Sequence, residues 1–85
     1  MKTKAFNYTV LFQKEPEGGY TAVVPLLPGC VTYGKDLPEA KKMAKEAILL
    51  YIESLEAHKE EIPMEEEVFY TQLNISVVDK APSYA

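Results

Sequence analysis

A single cysteine, Cys30, excludes an internal disulfide, and with only one histidine, His58, beside it the chain cannot assemble a structural zinc site unaided. Basic residues are in deficit, nine against thirteen acidic ones, for a formal charge of -4 and a pI near 4.9. A surface of that sign repels a phosphate backbone, so nucleic-acid binding by the bulk surface is disfavoured and a basic protein is the easier partner. No stretch approaches the roughly 20 apolar residues of a membrane span, and Met1-Lys2-Thr3-Lys4 lacks the apolar run of a secretory leader. A cytoplasmic location is the resulting expectation. Carboxylates are missing from the interiors of all the strand-like segments, 6–13, 20–33 and 68–78. A two-metal nuclease needs several carboxylates converging from rigid elements, so metal-dependent hydrolysis is disfavoured, and no metal or cofactor is expected.

With 85 residues, 47% of them hydrophobic and 26% charged, the chain has the composition of one soluble globular domain rather than of a disordered segment. At this size the core is thin, and a partner or self-association would help. The expected organisation is a single domain over 1–85, with a folded core from about 4 to 78 and a mobile tail over 79–85.

Residues 6–13 alternate, with Phe6, Tyr8, Val10 and Phe12 on one face and Asn7, Thr9, Leu11 and Gln13 on the other, which predicts a half-buried strand. Glu15-Pro16-Glu17-Gly18-Gly19 supplies a turn, and a second strand begins at Tyr20. Residues 20–27 are apolar almost throughout, which suggests cover on both sides, and Pro25 marks an edge or a bulge. After the Pro28-Gly29 turn, Val31-Thr32-Tyr33 has room for a short third strand before Gly34. Asp36, Pro38 and Glu39 read as a helix start, and the helix is expected to run from about 37 to about 59. Leu37, Ala40, Ala44, Ala47, Ile48, Tyr51 and Leu55 fall on one stripe, while Leu49 falls among the charges opposite. Past a connection containing Pro63, alternation returns over 68–77, with Phe69, Leu73, Ile75 and Val77 on one face. The expected fold class is therefore α+β, a β-β-β-α-β order in which the last strand pairs in parallel with the first to make a four-stranded mixed sheet, one helix lying on one face.

Cys30 and His58 are the only thiol and imidazole in the chain, but no third group orients them, and the simpler reading is a small buried group beside a turn and a residue near a helix C-terminus. Gly18-Gly19 precedes a strand rather than a helix, so it is not a phosphate loop. Residues 56–67 hold six glutamates against one lysine, and Glu60, Glu61, Glu65, Glu66 and Glu67 are the candidate partner-binding residues, the alternative being a solvated face.

The run Tyr20-Thr-Ala22-Val-Val-Pro25-Leu-Leu-Pro28-Gly29-Cys30-Val-Thr32-Tyr-Gly34, followed by Glu39-Ala40, Ala44 and Glu46-Ala47-Ile48, resembles the HicB antitoxin family. The likeness covers roughly residues 6–55. It implies a partial RNase H-like fold and a non-enzymatic role in a type II toxin-antitoxin system: binding and neutralising a HicA-type toxin, a small basic ribonuclease. Leu26 stands where many such proteins have an acidic residue. Few residues follow Val78, so the resemblance is to a stand-alone member without the C-terminal DNA-binding domain, and no direct DNA binding is expected. The motif residues Tyr20, Pro25, Pro28, Gly29, Cys30, Gly34, Glu39 and Ala40 read as architecture rather than chemistry.

Two other classes compete. One is a stand-alone homo-oligomeric protein binding an unknown partner or ligand, and the other is a degenerate nuclease. Self-association is expected, as a homodimer or a tetramer built from dimers, because one helix covers only one side of a four-stranded sheet, the alternative being that the toxin covers that face and the free chain is a poorly soluble monomer. Leu49, Val23 and Leu27 are the candidate residues for that contact.

Overall fold

The computed structural model describes residues 5–67 and 69–79. Three short strands, β1 (Leu11–Lys14), β2 (Tyr20–Val23) and β3 (Val31–Gly34), precede one helix, α1 (Leu37–Ala57). The strands form an antiparallel sheet in the order β1-β2-β3. In register, Leu11 stands opposite Val23 and Lys14 opposite Tyr20, while Val23 stands opposite Val31 and Tyr20 opposite Gly34. The α+β class stands. The expected four-stranded mixed sheet does not: residues 69–79 form no strand, and their side chains are exposed. Alternating hydrophobicity reports a face that needs cover and says nothing about whether the cover lies in the same chain. The expectation of a mobile tail falls, beyond residue 79, outside the described residues.

β1 is shorter than its alternation because the partner strand runs out. Extending the register beyond Leu11 and Val23 would set Thr9 against Pro25, which has no N–H to give to a ladder. Val24 instead donates to the Cys30 carbonyl at 3.0 Å, Leu27 to Val24 at 3.0 Å and Cys30 to Leu27 at 2.9 Å, folding residues 24–30 into a self-bonded loop. Tyr51 closes it from the helix, its hydroxyl donating to the Pro28 carbonyl at 2.8 Å. Gly29 takes φ +83, a left-handed conformation open to glycine at little cost.

The helix starts as its sequence demands. The Glu39 N–H donates to Asp36 Oδ1 and the Lys35 N–H to Glu39 Oε1, both at 2.8 Å, a reciprocal cap whose Asp36 lies two residues ahead of Pro38. It ends two residues earlier than the periodicity suggests. Lys59 adopts φ +55, its N–H donating to the Glu56 carbonyl at 3.0 Å and that of Glu60 to the Leu55 carbonyl at 2.8 Å. This is a Schellman termination with lysine in the position glycine usually fills.

α1 lies over β3 and β2. The approach is close because the facing residues are small: Ala22, Ala40 and Ala44 are buried, and a Cβ on Gly34 would run into the Ala40 backbone. Farther along the helix Val24, Leu27 and Cys30 form the buried cluster, with Tyr8, Val10, Ala47, Ile48 and Tyr51 packed against it.

Candidate binding surfaces

Among the described residues, three surfaces of the sheet, the helix and the connection after it stand open. The first is a groove of about 500 Å3 between the N-terminal segment and the helix, walled by Phe6, Tyr8, Val10 and Phe12 on one side and by Ala44, Ile48, Leu49 and Ile52 on the other. It exists because α1 sits toward β3, so sheet and helix diverge on the β1 side like an open wedge. Lys41 and Lys45 rim it. Leu49, read from the helical wheel as sitting among charges, borders this groove and is 52% exposed.

The second surface is the sheet face turned away from α1. Phe12, Ala22 and Thr32 share a row on the helix side, so pleat alternation puts Leu11, Val23 and Val31 in the neighbouring row on the outer side. Leu11 and Val31 are exposed and Val23 is half-buried, and Tyr33 lies farther along the same side. Val23 is thus placed on a free face. Leu27 is not, being fully buried in the chain's own core, where it has no surface to offer a second copy.

The third surface is acidic. Glu60, Glu61, Glu66 and Glu67 are exposed, whereas Glu65 is half-buried and engaged. The Thr9 N–H donates to Glu65 Oε2 at 2.6 Å, the Thr9 hydroxyl donates to the other carboxylate oxygen, and the Tyr8 hydroxyl donates to the Pro63 carbonyl at 2.6 Å. Residues 63–65 therefore form a strap across the N-terminal segment, and Glu65 serves as its pin. Burial, and then the Glu65 carboxylate, hold the Tyr8 hydroxyl above its ordinary pKa. The strap escapes a reading by composition, which treats all these glutamates alike. The one available signal is Thr9, a hydrogen-bonding residue whose register partner is a proline.

The motif residues are placed in the frame of the fold. Tyr20 opens β2, Pro25 and Pro28 are exposed on the loop and Cys30 is buried beneath it. Burial pushes the Cys30 thiol above its ordinary pKa, the opposite of activation. A His58 ring nitrogen sits 2.8 Å from the Ser54 carbonyl at the helix end. Among the described residues no group of three or more histidine, cysteine or carboxylate side chains could hold a metal ion, and no helix is long and apolar enough to cross a membrane.

The surfaces on offer are thus apolar and acidic, suited to protein contact, and the comparisons with known proteins agree with that character. The chain is 53% identical over 57 residues to a UPF0150 protein of Thermoplasma acidophilum, covering 67% of this chain and 83% of that one. It is 49% identical over 61 residues to a UPF0150 protein of Synechocystis, covering 72% and 77% respectively. The family described as HicB-like antitoxin of bacterial toxin-antitoxin system matches residues 8–81, a span that takes in all three strands, the helix and the strap. The chain belongs to the HicB-like antitoxin family.

Proposed function

We propose that the protein is the antitoxin of a type II toxin-antitoxin system and neutralises a small basic HicA-type ribonuclease by direct contact, with no enzymatic activity of its own. Family membership over 8–81 supports a toxin partner in general, and the observation that favours a basic one is the cluster of exposed carboxylates at Glu60, Glu61, Glu66 and Glu67. Charge of one sign on a short segment raises the encounter rate with a cationic partner and disfavours anionic ones. On this reading the three strands and helix are the described part of a partial RNase H-like fold that works as a homo-oligomeric binding scaffold in the cytoplasm.

The test is inhibition of a purified small basic ribonuclease of the HicA type. Its cleavage of RNA is measured with and without the full-length chain, and then with a chain carrying Glu60→Lys, Glu61→Lys, Glu66→Lys and Glu67→Lys. The proposal expects stoichiometric inhibition by the native chain, with association slowed by at least tenfold in the variant and less so at high salt. Absence of inhibition by the native chain, or cleavage of RNA by the antitoxin alone, refutes it.

A further inference from the structure

Two apolar surfaces of this chain do not meet. The first is the groove beside β1. β1 ends the sheet, and its outer edge pairs with nothing among the described residues. The groove below that edge is lined by large apolar groups from both walls, Phe12, Ile48, Leu49 and Ile52 among them. The second is the segment 69–79, which is exposed and belongs to no strand. Period-two geometry sets Phe69, Thr71, Leu73, Ile75 and Val77 on one face. The four large apolar groups of that face are 86%, 77%, 71% and 81% exposed, in chain order. Its other face carries Tyr70, Gln72, Asn74 and Ser76.

We propose that residues 69–78 are an exchange strand: in a two-fold dimer each copy lays this segment along the free edge of the other copy's β1, with Phe69, Leu73, Ile75 and Val77 entering the other copy's groove. The route of the chain favours the second copy over the segment's own groove. Pro63 and Glu65 are held on Tyr8 and Thr9, and directly after this anchor the chain passes through Glu65, Glu66 and Glu67. Consecutive like charges repel and keep a linker extended, and Tyr70 lies beside Thr9, Pro25 and Leu26, none of which lines the groove, so the chain is directed past its own groove and not back into it. A short connection that favours an extended course invites exchange between copies. The size is sufficient. At roughly 100 Å2 of apolar surface per large side chain, four side chains from each of two segments and the groove area they cover come to roughly 1,600 Å2, the extent of a stable interface. The new main-chain bonds come from strand addition, and reciprocal exchange closes the assembly instead of propagating it.

The experiment uses the full-length chain without any toxin. Sedimentation equilibrium is expected to give twice the 9.6 kDa chain mass at micromolar concentration. Ile75→Lys and Leu73→Lys, at positions exposed in the isolated chain, are each expected to weaken the dimer by about 30-fold or more, with an unchanged helical circular-dichroism signal. Isotope-filtered NOE spectra of a mixed labelled and unlabelled sample locate the segment: contacts between the Ile75 or Leu73 methyls and the Phe12 ring or Ile48 methyls are expected between copies. The same contacts found only within one copy show a strand folded back on its own chain and overturn the proposal. So does a monomer whose 69–78 amides exchange freely, and so does a dimer indifferent to both lysines, which would place the contact on the Leu11, Val23 and Val31 face.

Discussion

Replacing Gly34 by alanine tests the claim that backbone proximity sets the distance between helix and sheet. The added Cβ would lie 2.7 Å from the Glu39 carbonyl carbon and closer still to the Ala40 N and Cα atoms. No rotamer change can relieve this, because the atoms in the way are main chain. They are also fixed, since the Glu39 and Ala40 N–H groups are both held by Asp36, each at 2.8 Å. The whole first turn of α1 would have to move by about an ångström, opening the contact of Ala22, Ala40 and Ala44. Overpacking costs about 1–3 kcal/mol where side chains can yield, so a rigid backbone neighbour puts this substitution near the top, at about 3 kcal/mol. For a domain of this size that lowers the melting temperature by roughly 12–24 °C. Gly29→Ala is the control. Its φ of +83 makes an L-residue unfavourable, but a Cβ there meets nothing within 4 Å, so the cost is the left-handed strain alone, about 1–2 kcal/mol. Urea titration followed by circular dichroism compares the two. A Gly34→Ala variant as stable as Gly29→Ala, or more so, refutes the close-approach argument.

Lys59→Gly is expected to stabilise the chain by about 1 kcal/mol, because it removes left-handed strain at the helix stop, and a higher urea midpoint with an unchanged slope checks it. Asp36→Ala removes the acceptor for the Glu39 N–H and is expected to cost about 1 kcal/mol in the same titration. The Tyr8 hydroxyl, raised from its ordinary 10.0 by burial and then by Glu65, keeps its proton more tightly in the folded state than in the unfolded one. Its contribution to stability is intact below about pH 10 and is lost as pH rises through the higher folded value, so urea midpoints measured up through that window should fall more steeply for the native chain than for Tyr8→Phe. Cys30, buried and with its thiol pushed up, should react with a thiol reagent far more slowly in the folded chain than in urea, and equal rates would contradict its burial.

The N-terminal half of the fold was legible because its signals are local. Glycine and proline punctuate the turns, Asp36 with Glu39 spells a capping box, and the alternation of Phe6, Tyr8, Val10 and Phe12 matches the groove wall they form. The helix stop was not legible at its true position because Lys59 carries no mark of a left-handed residue. The β1 boundary depends on a proline in another strand, and the role of Glu65 depends on a partner 56 residues away. The burial of Leu27 is not legible because an all-apolar run has no period to separate its faces, whereas the loop closed by Val24 and Cys30 turns it into the core. The alternation over 69–77 predicts a strand in the sheet, and none forms there among the described residues, because periodicity reports a face that needs cover without naming the edge that supplies it.

The small-residue contact between α1 and the sheet also has a mechanical side. With Gly34 and Ala40 backbone to backbone, the early part of the helix is a fulcrum and the remainder a lever arm. From Ala40 to Ile52 the rod extends about 18 Å, so a tilt of about 3° at the fulcrum moves the far end by about 1 Å. The width of the groove is therefore governed from outside it. Substitutions at Ala40 or Ala44 would act on whatever occupies the wedge as a thumbscrew acts on a clamp, and variants selected for altered partner affinity should collect at the fulcrum as well as along the jaws.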